Sequence, residues 1–193
     1  MNVPNKLTLG RIILTVFIIT FCLFPFYSIG ITFPKLNIGG LVVDSVYFIS
    51  GILFIIAAVT DYLDGNIARS KNMVTDTGKL LDAIADKVLV NSVLIIFAVR
   101  GFIPAFVPVI YIFRDEVVNA FKMDALKKGK VVAAITSGKI KTASMMIGLS
   151  LMFFYNLPFE LINLKVADFL IYFATIMSIV SGFEYYYMWK KLS

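Results

Sequence analysis

Residues 61–86 read DYLDGNIARSKNMVTDTGKLLDAIAD, and four aspartates in that stretch, Asp61, Asp64, Asp82 and Asp86, stand within 26 positions of an otherwise oily chain. An acidic residue inside an apolar segment is costly and persists mainly where it binds ions or substrates. The full spacing is Asp61-x2-Asp64-Gly65-x2-Ala68-Arg69-x8-Gly78-x3-Asp82-x3-Asp86. Separations of three and four residues put each pair of acids on one face of a helix. The polar run from Arg69 to Gly78 is expected to form the turn between two such helices, which would bring all four carboxylates together.

Four bare carboxylates would repel one another, and their protons would be held more tightly unless cations lay between them. The chain has no histidine and a single cysteine, Cys22. Imidazole is therefore excluded as base or ligand, and so are a cysteine metal cluster and an intrachain disulfide. Any metal must be held by oxygen, which suits Mg²⁺, Mn²⁺ or Ca²⁺. A pair of such ions about 4 Å apart is a known arrangement for displacement at phosphorus. Gly65 and Gly78 allow a nucleotide close to the backbone. Ala68 keeps the same face shallow, and Arg69 can fork onto a phosphate or carboxylate.

Working outward, the chain is 60% hydrophobic and only 16% charged, with a mean hydropathy of +0.89. These values exceed those of a soluble globular protein and point to an integral membrane protein. At 193 residues there is room for one domain, spanning 1–193. Six apolar segments approach the length of about 20 residues that crosses a bilayer, at roughly 8–28, 46–69, 79–99, 103–122, 139–157 and 166–188. The expected fold class is all-α: six transmembrane helices around a cytoplasm-facing polar cavity, with a short interfacial segment at the N-terminus. After the first apolar stretch comes Phe24-Pro25-Phe26-Tyr27 rather than a small-x-small cleavage site, so that helix is expected to be retained. The segment around Thr32-Phe33-Pro34-Lys35, with Gly39-Gly40, is expected to be an ordinary loop.

The basic residues set the orientation. With a cytoplasmic N-terminus, the cytoplasmic ends carry Lys6, Arg11, Arg69, Lys71, Lys79, Lys122, Lys127, Lys128, Lys130, Lys139, Lys141, Lys190 and Lys191. The outer loops hold only Lys35, Arg100 and Lys165, while Lys87 and Arg114 lie inside helices. That bias places both termini and the acidic array on the cytoplasmic side of the cell membrane. Topology and anionic membrane lipids account for the net charge of +6, so no nucleic-acid partner is implied.

The array resembles the signature of the CDP-alcohol phosphotransferase family at all eight positions, and the resemblance extends over almost the whole chain. It implies six membrane helices around a di-metal site, a CDP-linked donor that releases CMP, and a homodimer. On the resemblance, Asp61, Asp64, Asp82 and Asp86 would hold two Mg²⁺ or Mn²⁺ ions. Asp86 would also be the catalytic base that takes the acceptor hydroxyl's proton. Asp61, Asp64, Gly65, Ala68, Arg69 and Gly78, together with Asn5 and Thr8, would bind the CMP part of CDP-diacylglycerol.

Two further stretches bear on the acceptor. Asn2-Val-Pro4-Asn5-Lys-Leu-Thr8-Leu-Gly-Arg11 resembles the opening of phosphatidylglycerophosphate synthases, and Pro4 and Asn5 also suit a helix start on the membrane surface. Ser137-Gly138-Lys139-Ile140-Lys141-Thr142 resembles a Gly-Lys-x-Lys-Thr motif of the same branch, and lysines at a helix N-terminus suit a phosphate dianion. Arg114, inside helix four and followed by Asp115-Glu116, needs a cavity or a partner. Arg114, Lys122, Lys139 and Lys141 are therefore expected to form a pocket for a phosphorylated acceptor, glycerol 3-phosphate. Ala83, Asp115 and Met145 depart from that branch, which often has proline, glutamate and glutamine there; position 145 would face the pocket.

Other readings stay open at this point. A cardiolipin synthase of the same family would use phosphatidylglycerol, which also carries a phosphate. A phosphatidylinositol-phosphate synthase fits the acceptor region less well. A cation channel or transporter would place acids near the bilayer midplane on several helices, whereas these cluster at one end.

Overall fold

The computed structural model describes residues 3–70 and 76–192, with side chains for 7–61, 78 and 81–192. Six helices account for most of it: α1 (Val3–Leu23), α2 (Ser45–Ser70), α3 (Asp76–Val99), α4 (Phe106–Lys127), α5 (Thr136–Phe153) and α6 (Val166–Leu192). The six expected segments are all present, with shifted ends. α1 starts at Val3 rather than near residue 8, so the helix occupies the stretch expected to be a separate interfacial segment. It stops at Leu23 because Pro25 disfavours helical backbone in the residue before it. The Arg100 guanidinium then donates to the Cys22 carbonyl at 2.6 Å, satisfying one acceptor that the helix end leaves open.

The expected turn between α2 and α3 is shorter than the sequence suggests. α2 continues through Arg69 to Ser70 and α3 begins at Asp76, so Gly78 is already helical. The remaining turn residues, 71–75, lie outside the described residues.

The expected loop at 32–40 contains a hairpin instead. β1 (Lys35–Ile38) and β2 (Leu41–Asp44) pair antiparallel with Lys35 opposite Asp44 and Ile38 opposite Leu41. Gly39 and Gly40 both take positive φ, 60° and 87°. A two-residue connection of that kind matches the twist of its strands and favours glycine. Val43 is buried, and the Asp44 carboxylate accepts the Val46 N–H at 2.9 Å, capping α2. Among the described residues the fold is therefore helical with one small hairpin, at the end of α2 away from the acidic array.

Packing runs chiefly between α5 and α6, α1 and α2, α4 and α6, and α1 and α3. A Cβ at Gly148 would lie 2.8 Å from the Ile171 side chain, so this glycine sets how closely α5 and α6 approach. The core is aromatic toward the end away from the acidic array, where the rings of Phe97 and Phe153 lie 4.7 Å apart and those of Tyr47 and Phe102 5.2 Å. Asn156 closes that end by accepting the Ala167 N–H at 2.9 Å and donating to the Leu164 carbonyl at 2.6 Å, which caps the start of α6.

Phe113, Phe169, Ile176 and Phe183 face outward and exposed. Such an apolar outer surface suits hydrocarbon rather than water. Among the described residues Val166–Leu192 is long and apolar enough to cross a bilayer, and Leu7–Leu23 and Ser45–Asp61 are shorter apolar stretches.

Candidate active site

The early part of α1, the late part of α2 and the early part of α3 meet at one end of the bundle. Their meeting point is Arg11, which is fully buried. Its Nη1 lies 2.5 Å from Asp61 Oδ1 and 2.9 Å from Asp82 Oδ1. Two carboxylates from different helices thus converge on one cationic nitrogen. Asp86, one helical turn beyond Asp82, is partly buried on the same side of α3. Thr8, one turn before Arg11, is buried.

The side chains of Asn5, Asp64, Gly65, Ala68 and Arg69 lie outside the described residues, although their backbone is helical. Among the described residues no three metal-ligating side chains converge on one point.

The sequence places Arg11 in the opening motif and among the cytoplasmic charges, but does not reveal its role beside the acids. Beyond any contribution to topology, it ties Asp61 of α2 to Asp82 of α3. Its position inside an apolar helix, followed by Ile12, Ile13 and Leu14, is the signal that could have marked it.

A second charged cluster joins α4, α5 and α6. Asp115 Oδ1 is shared between Arg114 Nη1 at 2.9 Å and Lys141 Nζ at 2.6 Å. Lys141 also lies 3.8 Å from the centroid of the Tyr111 ring. Arg114 and Lys122 both approach the ring of Tyr185, at 5.3 and 4.7 Å. Cations over tyrosine faces gain an attraction that grows as water is removed. The Tyr185 hydroxyl accepts the Ile135 N–H at 3.3 Å, just before α5, and Ser137 Oγ bonds Glu184, so α6 also fixes the start of α5. A separate pair, Lys87 to Glu116 at 2.8 Å, ties α3 to α4.

Of the four expected acceptor residues, the structure gathers Arg114, Lys122 and Lys141 around Asp115, Tyr111 and Tyr185. Lys139 is exposed and does not share the buried face of Lys141. Met145, expected to face the pocket, is fully buried in the apolar core with Leu149 and Met152, so its thioether packs rather than reads a substrate. Ala83 is exposed. Tyr111, Asp115 and Tyr185 carried no role in the sequence reading; the acid beside Arg114 was their only visible signal.

Chemically the two clusters complement each other. One presents carboxylate oxygens suited to hard cations, and the other presents cations suited to an anion.

A profile of the CDP-alcohol phosphatidyltransferase family matches residues 1–181. The chain is 39% identical over 185 residues to the CDP-diacylglycerol–glycerol-3-phosphate 3-phosphatidyltransferase of Bacillus subtilis (strain 168), covering 96% of this chain and 93% of that protein. It is 33% identical over 192 residues to the protein of the same name from Haemophilus influenzae, covering 95% and 91%. Similarity to the Rickettsia bellii protein of that name is 32% over 193 residues, covering 98% and 96%.

Proposed function

The chain belongs to the CDP-alcohol phosphatidyltransferase family, and from that premise we propose that it transfers the phosphatidyl group of CDP-diacylglycerol to sn-glycerol 3-phosphate, giving phosphatidylglycerophosphate and CMP. The observation that carries this reading is the end-to-end similarity to the Bacillus subtilis protein that bears the name of that activity. The paired carboxylates and the neighbouring cation cluster supply the chemistry it needs.

The acceptor's free hydroxyl oxygen attacks the phosphorus of the phosphatidyl group. A new oxygen–phosphorus bond forms, the bond from that phosphorus to CMP breaks, and Asp86 takes the hydroxyl proton. Asp61, Asp64, Asp82 and Asp86 would hold two Mg²⁺ or Mn²⁺ ions, which when bound offset charge on the transferring phosphoryl group. The donor set fits such ions: it is all oxygen, and Asp61 and Asp82 already gather around one positive nitrogen. Arg11 sits behind the pair and orients it. Asn5, Thr8, Gly65, Ala68, Arg69 and Gly78 hold the CMP part of the donor. Arg114, Lys122 and Lys141 receive the acceptor's phosphate, with exposed Lys139 at the approach.

The helices cross the cell membrane, with both termini and the site on the cytoplasmic side, and the chain assembles as a homodimer. The positive-inside bias supports the orientation, and the family resemblance supports the dimer.

The test is CMP release by the purified protein with CDP-diacylglycerol and Mg²⁺ or Mn²⁺. Release is expected with glycerol 3-phosphate, with phosphatidylglycerophosphate as product, and is expected to stop with a chelator. Release with phosphatidylglycerol and not with glycerol 3-phosphate would reassign the acceptor. Release with neither would end the proposal.

A further inference from the structure

Arg114 is held by α6 through two positions to which the proposed reaction assigns no role. Its Nε–H donates to the Ser178 carbonyl at 3.1 Å, and its Nη2 donates to Ser181 Oγ at 2.6 Å. Helix side chains lean toward the N-terminus, so the side chain four residues on normally shields a backbone carbonyl. Four residues after Ser178 stands Gly182. A Cβ at Gly182 would lie 3.2 Å from Arg114 Cγ and 3.8 Å from Nε. The missing side chain therefore opens a notch that admits the arginine stem and bares the carbonyl. Ser181 Oγ donates its own proton to the same carbonyl at 3.1 Å, leaving its oxygen to accept from Nη2.

A guanidinium carries five N–H groups in a rigid plane. In Arg114 three are committed, to Ser178, Ser181 and Asp115. One N–H on each terminal nitrogen is left. Because the plane is rigid, fixing Nε and Nη2 on α6 decides where that remaining pair points. Lys141 shares the same Asp115 oxygen, so the fork and the lysine are held in one place.

We propose that Ser181 and Gly182 are positioning residues for acceptor recognition: they fix the plane of the Arg114 guanidinium so that its two uncommitted N–H groups meet the acceptor's phosphate. This rests on the acceptor-pocket reading given above. The residues act through Arg114, so their effect is expected on the acceptor and not on the donor.

A double-substitution cycle in the full chain tests it, with apparent KM measured separately for glycerol 3-phosphate and CDP-diacylglycerol. Ser181→Ala is expected to raise the glycerol 3-phosphate KM by roughly 5- to 50-fold, the range for weakening charge-assisted bonds, and to leave the donor KM within about twofold. Added to Arg114→Gln, it should cost nothing more, because residues that act as one unit are not additive. Gly182→Ala should repeat the Ser181→Ala pattern; if that variant fails to fold, as judged by its melting temperature in detergent, the serine cycle decides alone. Full additivity with Arg114→Gln, or equal loss of donor and acceptor affinity, would overturn the inference. So would a silent Ser181→Ala beside an Arg114→Gln that does weaken the acceptor, with the pocket reading intact. If Arg114→Gln leaves the acceptor KM unchanged, the pocket reading itself fails and takes this inference with it.

Discussion

The two charged clusters described at the acidic array and around Asp115 are mirror images in sign, and in both the cations lie deeper than the carboxylates. In the first, two carboxylates close on one guanidinium: the Arg11 side chain is 0% exposed, Asp61 38% and Asp82 49%. In the second, two cations close on one carboxylate, and the whole group is sunk, Lys141 at 4%, Arg114 at 11% and Asp115 at 19%. With its counter-ion underneath, the acidic pair stays partly exposed, and so retains part of its water. The basic pair has already lost most of its water, which is costly unless an anion matches it well. On the proposed acceptor reading, a phosphate would match these two largely desolvated cations in charge, whereas a neutral polyol would not. On that reading the more exposed cluster would serve the chemistry and the buried one discrimination.

The comparison breaks first at Asp86. If the open cluster carries the chemistry, Asp86→Asn removes the proton acceptor while keeping the shape. Turnover is expected to fall by about 10²- to 10⁴-fold, the usual worth of general base assistance. The KM for glycerol 3-phosphate should change little, because the buried cations are untouched. Near-normal turnover in a single-turnover assay would remove Asp86 from the role.

Much of this arrangement was legible in the chain. Acids inside an oily segment stand out because burying them is costly, so the array announced itself, and six apolar runs marked six helices. The hairpin did not, because strands of four residues are too short to show a period, even with Gly39-Gly40 between them. The first helix was placed too late because hydropathy tracks apolar residues and misses polar ones in helical backbone, while Pro25 ends it earlier than hydropathy suggests. Arg11 was hidden for a different reason. Its partner Asp82 is 71 residues away, and a cation near a membrane helix start looks like a topology signal until the fold pairs it. Lys139 and Lys141 stand two apart, so on a helix they point about 200° away from each other, and a motif in sequence does not tell that Lys141 alone is buried.

Arg11 offers the next way to sharpen the contrast. A partner that orients ligating groups from behind typically matters by about 10- to 100-fold in metal affinity or activity. Arg11→Gln is expected to weaken Mn²⁺ binding by an amount in that range, read by titration of Mn²⁺ paramagnetism without any turnover. Arg11→Lys keeps the charge and should retain more of the affinity. Unchanged Mn²⁺ binding in a folded Arg11→Gln protein would make the buried guanidinium a structural tie between α1, α2 and α3, with no bearing on the ions.

The smallest effect separates the two lysines. Lys141 is buried against Asp115 and Tyr111, so Lys141→Ala should raise the glycerol 3-phosphate KM roughly tenfold, the low end for a charge-assisted contact, since Asp115 already neutralises part of the site. Lys139 is exposed, and an exposed cation acts on an arriving anion through solvent, where charges are screened beyond about 8 Å at physiological salt. Lys139→Ala should therefore cost only about two- to threefold at low salt, through slower capture of the acceptor. Raising the salt to about 0.5 M should erase that difference from the unsubstituted protein while leaving the Lys141→Ala defect in place, because buried pairs are screened far less. The measurement is the acceptor KM of both variants across a salt series. Were Lys139→Ala to match Lys141→Ala in size and in indifference to salt, the exposed lysine would be closing onto the phosphate directly. Burial would then fail to sort these cations by role, and the contrast between an open cluster and a buried one would lose its meaning on the acceptor side.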